Sequence, residues 1–219
     1  MPSWPSNWAA SLPQRWAGSN PVKLYFTRHG ESEANRLRII SNRDLPHPLT
    51  ETGRRQAAEL AGRLGGRPLT RIFASPILRA RQTGEILSAA LSVTLELVEA
   101  LREPDTGIWE GRGDAEAWSA IDGWADTWLS GRDLDRGPQG GETYTAVRKR
   151  VSAFIADLMN KYGQSADEFV LVSHGAVMLY GLPGLVEGLD AQNMRQHALA
   201  YAGLLTVECR QGNLFLLQA

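Results

Sequence analysis

Val22-Lys23-Leu24-Tyr25-Phe26-Thr27-Arg28-His29-Gly30 is the stretch on which the fold turns. Val22 to Thr27 is a short β-prone run that stops abruptly at Arg28-His29-Gly30, so it reads as a strand feeding a tight turn and then a helix. The same pattern recurs at Glu168 to Ser173, an apolar strand ending in His174-Gly175 and followed by a helix to about Glu187. Between the two, Thr50 can cap a helix through about Leu64, which Gly65-Gly66 stop. Arg71 to Ala74 then reads as a second strand, and Ser75-Pro76 opens the next helix, with Ser75 as N-cap and Pro76 at the first helical position. Val93 to Val98 reads as a third strand. Near the end, Leu204 to Glu208 and Asn213 to Leu217 flank Gln211-Gly212 as a hairpin. Strands alternating with helices predict an α/β three-layer sandwich, with a mainly parallel sheet, helices on both faces and at least one antiparallel strand.

Residues 104–141 break the alternation as a lid-like insertion. Within it, 114–130 reads as a helix carrying Trp118, Ile121, Ala125 and Trp128 along one stripe, a pattern that packing alone explains. A Gly-, Asp- and Pro-rich loop, Gly131 to Gly141, leads to a long amphipathic helix from Glu142 to Tyr162. At 219 residues the chain fits one α/β domain, 21–219, preceded by an N-terminal arm, 1–20. Trp4, Trp8 and Trp16 of the arm either pack on the body, or pack on a second subunit in a homodimer, or belong to a poorly ordered extension.

A hydrophobic share of 43% with 21% charged residues is ordinary for a globular protein with a real core. Lys+Arg 23 against Asp+Glu 24 gives net charge -1, no electrostatic reason to bind nucleic acid or an anionic membrane, so a small partner is expected. No run approaches the roughly 18 apolar residues of a spanning helix, and residues 1–20 lack a secretory leader. The single Cys209, in an apolar run, suits a reducing compartment, and the protein reads as cytoplasmic.

Parallel sheets bind ligands beyond the carboxyl ends of their strands. Arg28 and His29 arrive there from the first strand, Arg79 by way of Ser75-Pro76 after the second, and His174 from the fourth. Two imidazoles and two guanidiniums describe an anion pocket, and the glycine after each histidine exposes amide hydrogens that suit phosphate. A histidine-pair metal site is the competing reading, but the arginines would repel a divalent cation and no Asp or Glu ligand set accompanies them. No metal and no cofactor are expected.

Thr27-Arg28-His29-Gly30-Glu31-Ser32 with Asn35 resembles the histidine phosphatase superfamily, phosphoglycerate mutase-like branch. The resemblance continues through Pro48-Leu49-Thr50-Glu51-Thr52-Gly53, Ser75-Pro76-Ile77-Leu78-Arg79-Ala80-Arg81-Gln82-Thr83 and Leu101-Arg102-Glu103, then Gly107-Ile108-Trp109-Glu110-Gly111, Gly140-Gly141-Glu142 and Ser173-His174-Gly175. It implies a phosphoglycerate mutase-like fold and a single phosphatase domain acting on a small phosphorylated substrate. It further implies that His29 attacks phosphorus and becomes phosphohistidine, and that Arg28, Arg79 and His174 hold the phosphate oxygens with Asn35 assisting. Glu103 would protonate the leaving group and then activate water, which calls for a raised pKa. Arg81 and Glu31 read as structural.

Cofactor-dependent mutases of the family resemble one another in an Arg and Tyr just after the acidic residue, where this chain has Pro104-Asp105-Thr106. A metal-independent phosphomonoester hydrolase is therefore expected, with a phosphoglycerate mutase or a low-activity phosphate-recognising scaffold as alternatives. In the insertion, Trp109, Trp118, Trp124 and Trp128 with Arg112, Arg132 and Arg136 offer apolar and cationic lid contacts; the plainer reading packs the tryptophans and leaves the arginines to water. The 36–48 segment, with Arg38, Ser41, Asn42 and His47, departs from the family's commonest spelling, which leaves its contacts open.

Overall fold

The computed structural model describes residues 21–163, 165–190, 194, 200–210 and 213–218, so the 1–20 arm and the Gln211-Gly212 turn lie outside the described residues. Strands β1 (Val22–Arg28), β2 (Leu69–Ala74), β3 (Leu95–Leu97), β4 (Glu168–Ser173), β5 (Val186–Glu187), β6 (Leu204–Arg210) and β7 (Asn213–Gln218) form one sheet in the order β3-β2-β4-β1-β6-β7-β5. The β3-β2-β4-β1 part is parallel, whereas β6 is antiparallel to both β1 and β7. This is the mainly parallel α/β sandwich expected from the alternation, and β6 with β7 makes the terminal antiparallel pair.

Helices α1 (Glu33–Leu37), α2 (Glu51–Leu64), α3 (Leu78–Leu91), α4 (Ala115–Leu129), α5 (Tyr144–Tyr162) and α6 (Gly175–Gly181) complete the order. Successive strand residues point to opposite faces, and the central strands are apolar on both. Leu24 and Phe26 of β1 and Phe169 and Leu171 of β4 pack with Val147, Val151 and Ile155 of α5 and Val177 of α6. Their neighbours Tyr25, Val170 and Val172 pack on the other face with Leu60 and Leu64 of α2 and Leu87 of α3. Burying each such side chain contributes about 1.5–3 kcal/mol, so two cores clamp the sheet and hold its strand ends in place.

Thr50 caps α2 as expected, its Oγ1 accepting the Gly53 N–H at 3.0 Å. The helix after β2, however, begins at Leu78, not at Ser75-Pro76. The Ser75 N–H is still donated to Val172 O at 2.9 Å, which keeps the residue tied to the sheet, and its hydroxyl is engaged with His174 at 2.8 Å. Likewise α6 stops at Gly181, well before Glu187, because Pro183 and the left-handed Gly184 (φ 73°) turn the chain and Val186–Glu187 joins the sheet beside β7. The third strand is shorter than the Val93–Val98 run, and α5 starts at Tyr144 behind Thr143, whose Oγ1 accepts the Ala146 N–H.

Gly30 and Gly53 bring the turn after β1 against the first turn of α2 at backbone contact. A Cβ on Gly53 would lie 2.0 Å from Glu31 O, and one on Gly30 would lie 2.3 Å from Gly53 O. Gly62, on the same helix, faces open space. Gly53→Ala should therefore lower stability in urea unfolding by about 2 kcal/mol or more, while Gly62→Ala should raise it by about 0.5–1 kcal/mol. Equal effects would show that the close approach is not a constraint.

Candidate active site

His29 sits one residue past β1, and its N–H is donated to Ser173 O at 3.0 Å, extending the β1–β4 ladder by one rung. That rung places the two histidines side by side, ring centroids 5.1 Å apart at 60°. His29 Nδ1 lies 2.7 Å from Gly30 O. A carbonyl can only accept, so Nδ1 carries the hydrogen and the neutral ring has its lone pair on Nε2. Arg79 Nε donates to that Nε2 at 2.9 Å. Burial first, then Arg79 and Arg28, hold the imidazole well below its usual pKa, so at neutral pH it is uncharged and has a defined tautomer.

Arg79 is buried on α3, its guanidinium also donating to Ser41 O. Burial pulls its pKa down to about 10, which leaves it cationic at neutral pH. Thr83, one turn on, donates to Arg79 O at 2.8 Å and accepts the Gly30 N–H at 3.2 Å, linking the arginine's helix to the histidine's turn. The Arg28 guanidinium lies 4.3 Å from the centre of the Tyr201 ring, a cation–π contact that orients it. His174 is fully buried; Nε2 is 2.8 Å from Ser75 Oγ, and Nδ1 has no hydrogen-bond partner among the described residues.

The Glu103 carboxylate is half-buried, its oxygens accepting the Ala176 and Val177 N–H groups at 3.3 Å each. Burial pushes its pKa up, against Arg79, Arg28 and those two amides. The loop that carries it is held from several sides. Glu142 accepts the Asp105 N–H at 3.1 Å and pairs with Arg150 at 2.8 and 2.9 Å. Arg150 also donates to Ala100 O, and Asn42 Nδ2 donates to Pro104 O at 2.9 Å. Glu110 accepts the N–H groups of Asn42 and Arg43, both at 2.8 Å. Glu110 and Glu142 thus lock the acidic loop to its neighbours.

Arg28, His29, Asn35, Arg79 and Glu103 line one cavity of about 310 Å³. His174 is not among its lining residues; it packs edge-on to His29. Asn35 lines the cavity, but its Oδ1 already accepts the Ser32 N–H and hydroxyl at 3.1 and 2.8 Å, closing a capping box, so only its Nδ2 can serve a ligand. Ile39, Ile40, Ser41 and Asn42 of the 36–48 segment form one wall, and Trp118, Ile121, Trp124 and Trp128 of α4 another. The tryptophan stripe therefore faces the cavity as well as the core; Trp124 joins the cavity wall, while Ala125 packs against the core as expected. The insertion's arginines do face water: Arg132 and Arg136 are exposed, and Arg112 pairs with Asp114 and Glu116. Glu31 and Arg81 are structural, Glu31 accepting from Thr50 Oγ1 at 2.7 Å and Arg81 pairing with Glu85.

Tyr201 was not legible as a site residue, because a lone tyrosine before Ala202-Gly203 carries no pattern; the turn tied by Ala202 N–H to Arg28 O at 3.0 Å brings it over Arg28. Ser75 was legible only as a cap. Among the described residues no three His, Cys, Asp or Glu side chains group as a metal site would, and no helix is long and apolar enough to cross a membrane.

Residues 24–218 match the family model of the histidine phosphatase superfamily, branch 1. A Photorhabdus laumondii protein named "Probable phosphoglycerate mutase GpmB" is 33% identical over 187 residues, covering 85% of each chain. Among solved structures, the alpha-ribazole phosphatase from Shigella flexneri is similar with TM-score 0.72 and 26% identity, over 89% of this chain and 94% of that one. A phosphoserine phosphatase mutant from Entamoeba histolytica, in complex with phosphoserine, has TM-score 0.72 and 28% identity over 90% and 95%. With its two strand-end histidines and paired arginines in place and the family model spanning all but the two ends, this chain belongs to the histidine phosphatase superfamily, branch 1.

Proposed function

We propose that the protein is a metal-independent phosphatase that hydrolyses a small phosphomonoester through phosphohistidine at His29. The observation that carries this reading is the tautomer: Nδ1 is committed to Gly30 O, and Nε2 is left unprotonated beside the Arg79 guanidinium. In the first step the Nε2 lone pair attacks phosphorus, the ester P–O bond breaks, and the departing alkoxide takes the Glu103 proton. In the second, the Glu103 carboxylate takes a proton from water, the water oxygen attacks phosphorus, and the N–P bond breaks to release phosphate. Arg79 transfers its N–H from Nε2 to a phosphate oxygen as the ligand enters, Arg28 and Asn35 Nδ2 donate from the cavity wall, and the unpartnered Nδ1 of buried His174 supplies a further contact. Residues 104–141 act as the lid over a single domain, 21–219. A cytoplasmic setting and a small ligand in place of nucleic acid belong to the same reading, supported by the lone buried Cys209 and a net charge of -1.

Mutase activity is the second reading, favoured by the name of the Photorhabdus laumondii relative. Against it stand Pro104-Asp105-Thr106 after Glu103 and a cavity whose lining cations are Arg28 and Arg79. A binding module without turnover would form no phosphohistidine.

In EDTA, wild-type protein should hydrolyse phosphate esters and yield an acid-labile, base-stable phosphoprotein on rapid quench. His29→Ala should lose the phosphoprotein and about 10³-fold or more of the rate. Hydrolysis that survives this substitution would exclude His29 as nucleophile; interconversion of phosphoglycerates with a bisphosphate activator would establish the mutase.

Because Glu103 must be protonated for the first step and its pKa is raised, alkyl-ester turnover should hold through the mildly acidic range and fall as pH rises past that raised value. The depressed His29 pKa keeps the nucleophile neutral on the acidic side. Glu103→Gln should slow alkyl esters by about 10²–10⁴-fold and abolish the alkaline fall, with a smaller loss on p-nitrophenyl phosphate, whose leaving group needs no proton. An equal loss on both esters would remove Glu103 as the acid.

A further inference from the structure

We infer that the cavity selects phosphate esters whose alcohol part is uncharged and apolar, with one aromatic ring as the fitting shape, and that Trp118 and Trp124 make the selection; this deepens the phosphatase reading and rests on it. The cationic residues lining the cavity are Arg28 and Arg79, and Arg79 lies at the His29 end. Other nearby arginines are already paired with carboxylates: Arg43 with Asp105 of the cavity wall at 3.0 Å, Arg102 with Asp44 at 2.7 Å and Arg112 with Asp114 at 2.7 Å. Beyond the phosphate, the charged lining groups are Glu103 and Asp105. A substrate carrying a carboxylate or a second phosphate would strip that anion of water and set it beside the Asp105 carboxylate, whose Arg43 partner is already committed to it.

The wall facing the charged end is carbon. Trp118, Ile121 and Trp124 project from one stripe of α4, and Leu179 of α6 joins them. The polar edge of Trp118 is already used, its Nε1 donating to Arg38 O at 2.8 Å, and Trp128 behind it donates to Arg136 O at 3.0 Å. The Trp128 ring is buried against Trp124, Tyr144 and Tyr180, so the open ring surface on this wall belongs to Trp118 and Trp124. Trp118 and Trp124 are only partly buried, so part of their surface stays open to be covered. A volume of about 310 Å³ is at the small end of small-ligand sites, enough for a phosphate and one ring and too small for a long chain.

The test pairs turnover with binding on the full chain. Benzyl phosphate, ethyl phosphate and 3-phosphoglycerate all release alkoxides, so kcat/KM differences among them report the pocket; benzyl phosphate should exceed 3-phosphoglycerate by about tenfold or more. In calorimetric titration, non-hydrolysable benzylphosphonate should bind about tenfold or more tightly than 2-carboxyethylphosphonate, an analogue carrying a second anion. Trp118→Ala and Trp124→Ala should each lower the benzyl-to-ethyl ratio of kcat/KM by about tenfold, and Trp124→Phe should restore most of it. Equal or reversed preference in either assay overturns the selectivity, and an unchanged ratio in both alanine variants overturns the role of the tryptophans. Hydrolysis of all three esters at similar kcat/KM would leave the phosphatase standing and sink the selectivity. Tight benzylphosphonate binding without hydrolysis of any ester would do the reverse.

Discussion

Parallel pairing of β1 with β4, carried one rung further by the His29 N–H on Ser173 O, is the constraint from which the site follows. Each strand is an apolar run ended by a histidine and a glycine, and the register matches Arg28 with Ser173, so the two imidazoles fall side by side at the sheet's carboxyl edge. A slip of one residue would turn every core side chain of β1 to the opposite face, which the two separate cores forbid. The hydrophobic cores therefore hold the geometry of the site in place, and Trp128, Leu179 and Tyr180 of one of them also line the cavity.

Around this pair the molecule arranges charge so that each group is kept in one protonation state. Two guanidiniums and deep burial keep both imidazoles neutral, and the Gly30 carbonyl chooses which nitrogen of His29 is bare. The same burial that lowers the histidines raises Glu103, because desolvation disfavours whichever form is charged. A neutral base and a carboxyl that can carry a proton thus sit in one cavity, and a phosphate dianion would bring the negative charge that the arginines lack.

The supporting contacts are mostly between side chains and backbone, and they join segments far apart in the chain. Glu142 holds Asp105, Asn42 holds Pro104, and Glu110 holds the backbone of Asn42 and Arg43, so the acidic loop, the 36–48 segment and the start of α5 are braced as a unit. Local motifs such as Gly140-Gly141-Glu142 acquire their meaning here: Gly107 and Gly141 let two backbones approach where a Cβ on Gly107 would lie 2.0 Å from Gln139 O.

By itself the sequence determined the strand-to-His-Gly units, the α/β alternation, the caps at Thr50 and the identities of the residues at the strand ends, because these depend on local periodicity and on chemistry carried by single residues. Tertiary structure decided the rest. Ser75 left the helix it was expected to cap because a sheet hydrogen bond and a histidine compete for it, and α6 ended early because its continuation pairs with β7. Tyr201 reached Arg28 through a turn more than a hundred residues away, and the tryptophan stripe of α4 came to face a cavity as well as the core through the docking of the whole insertion. Contacts between distant segments depend on how elements pack, and packing is a sum over many weak interactions that no single stretch of sequence displays.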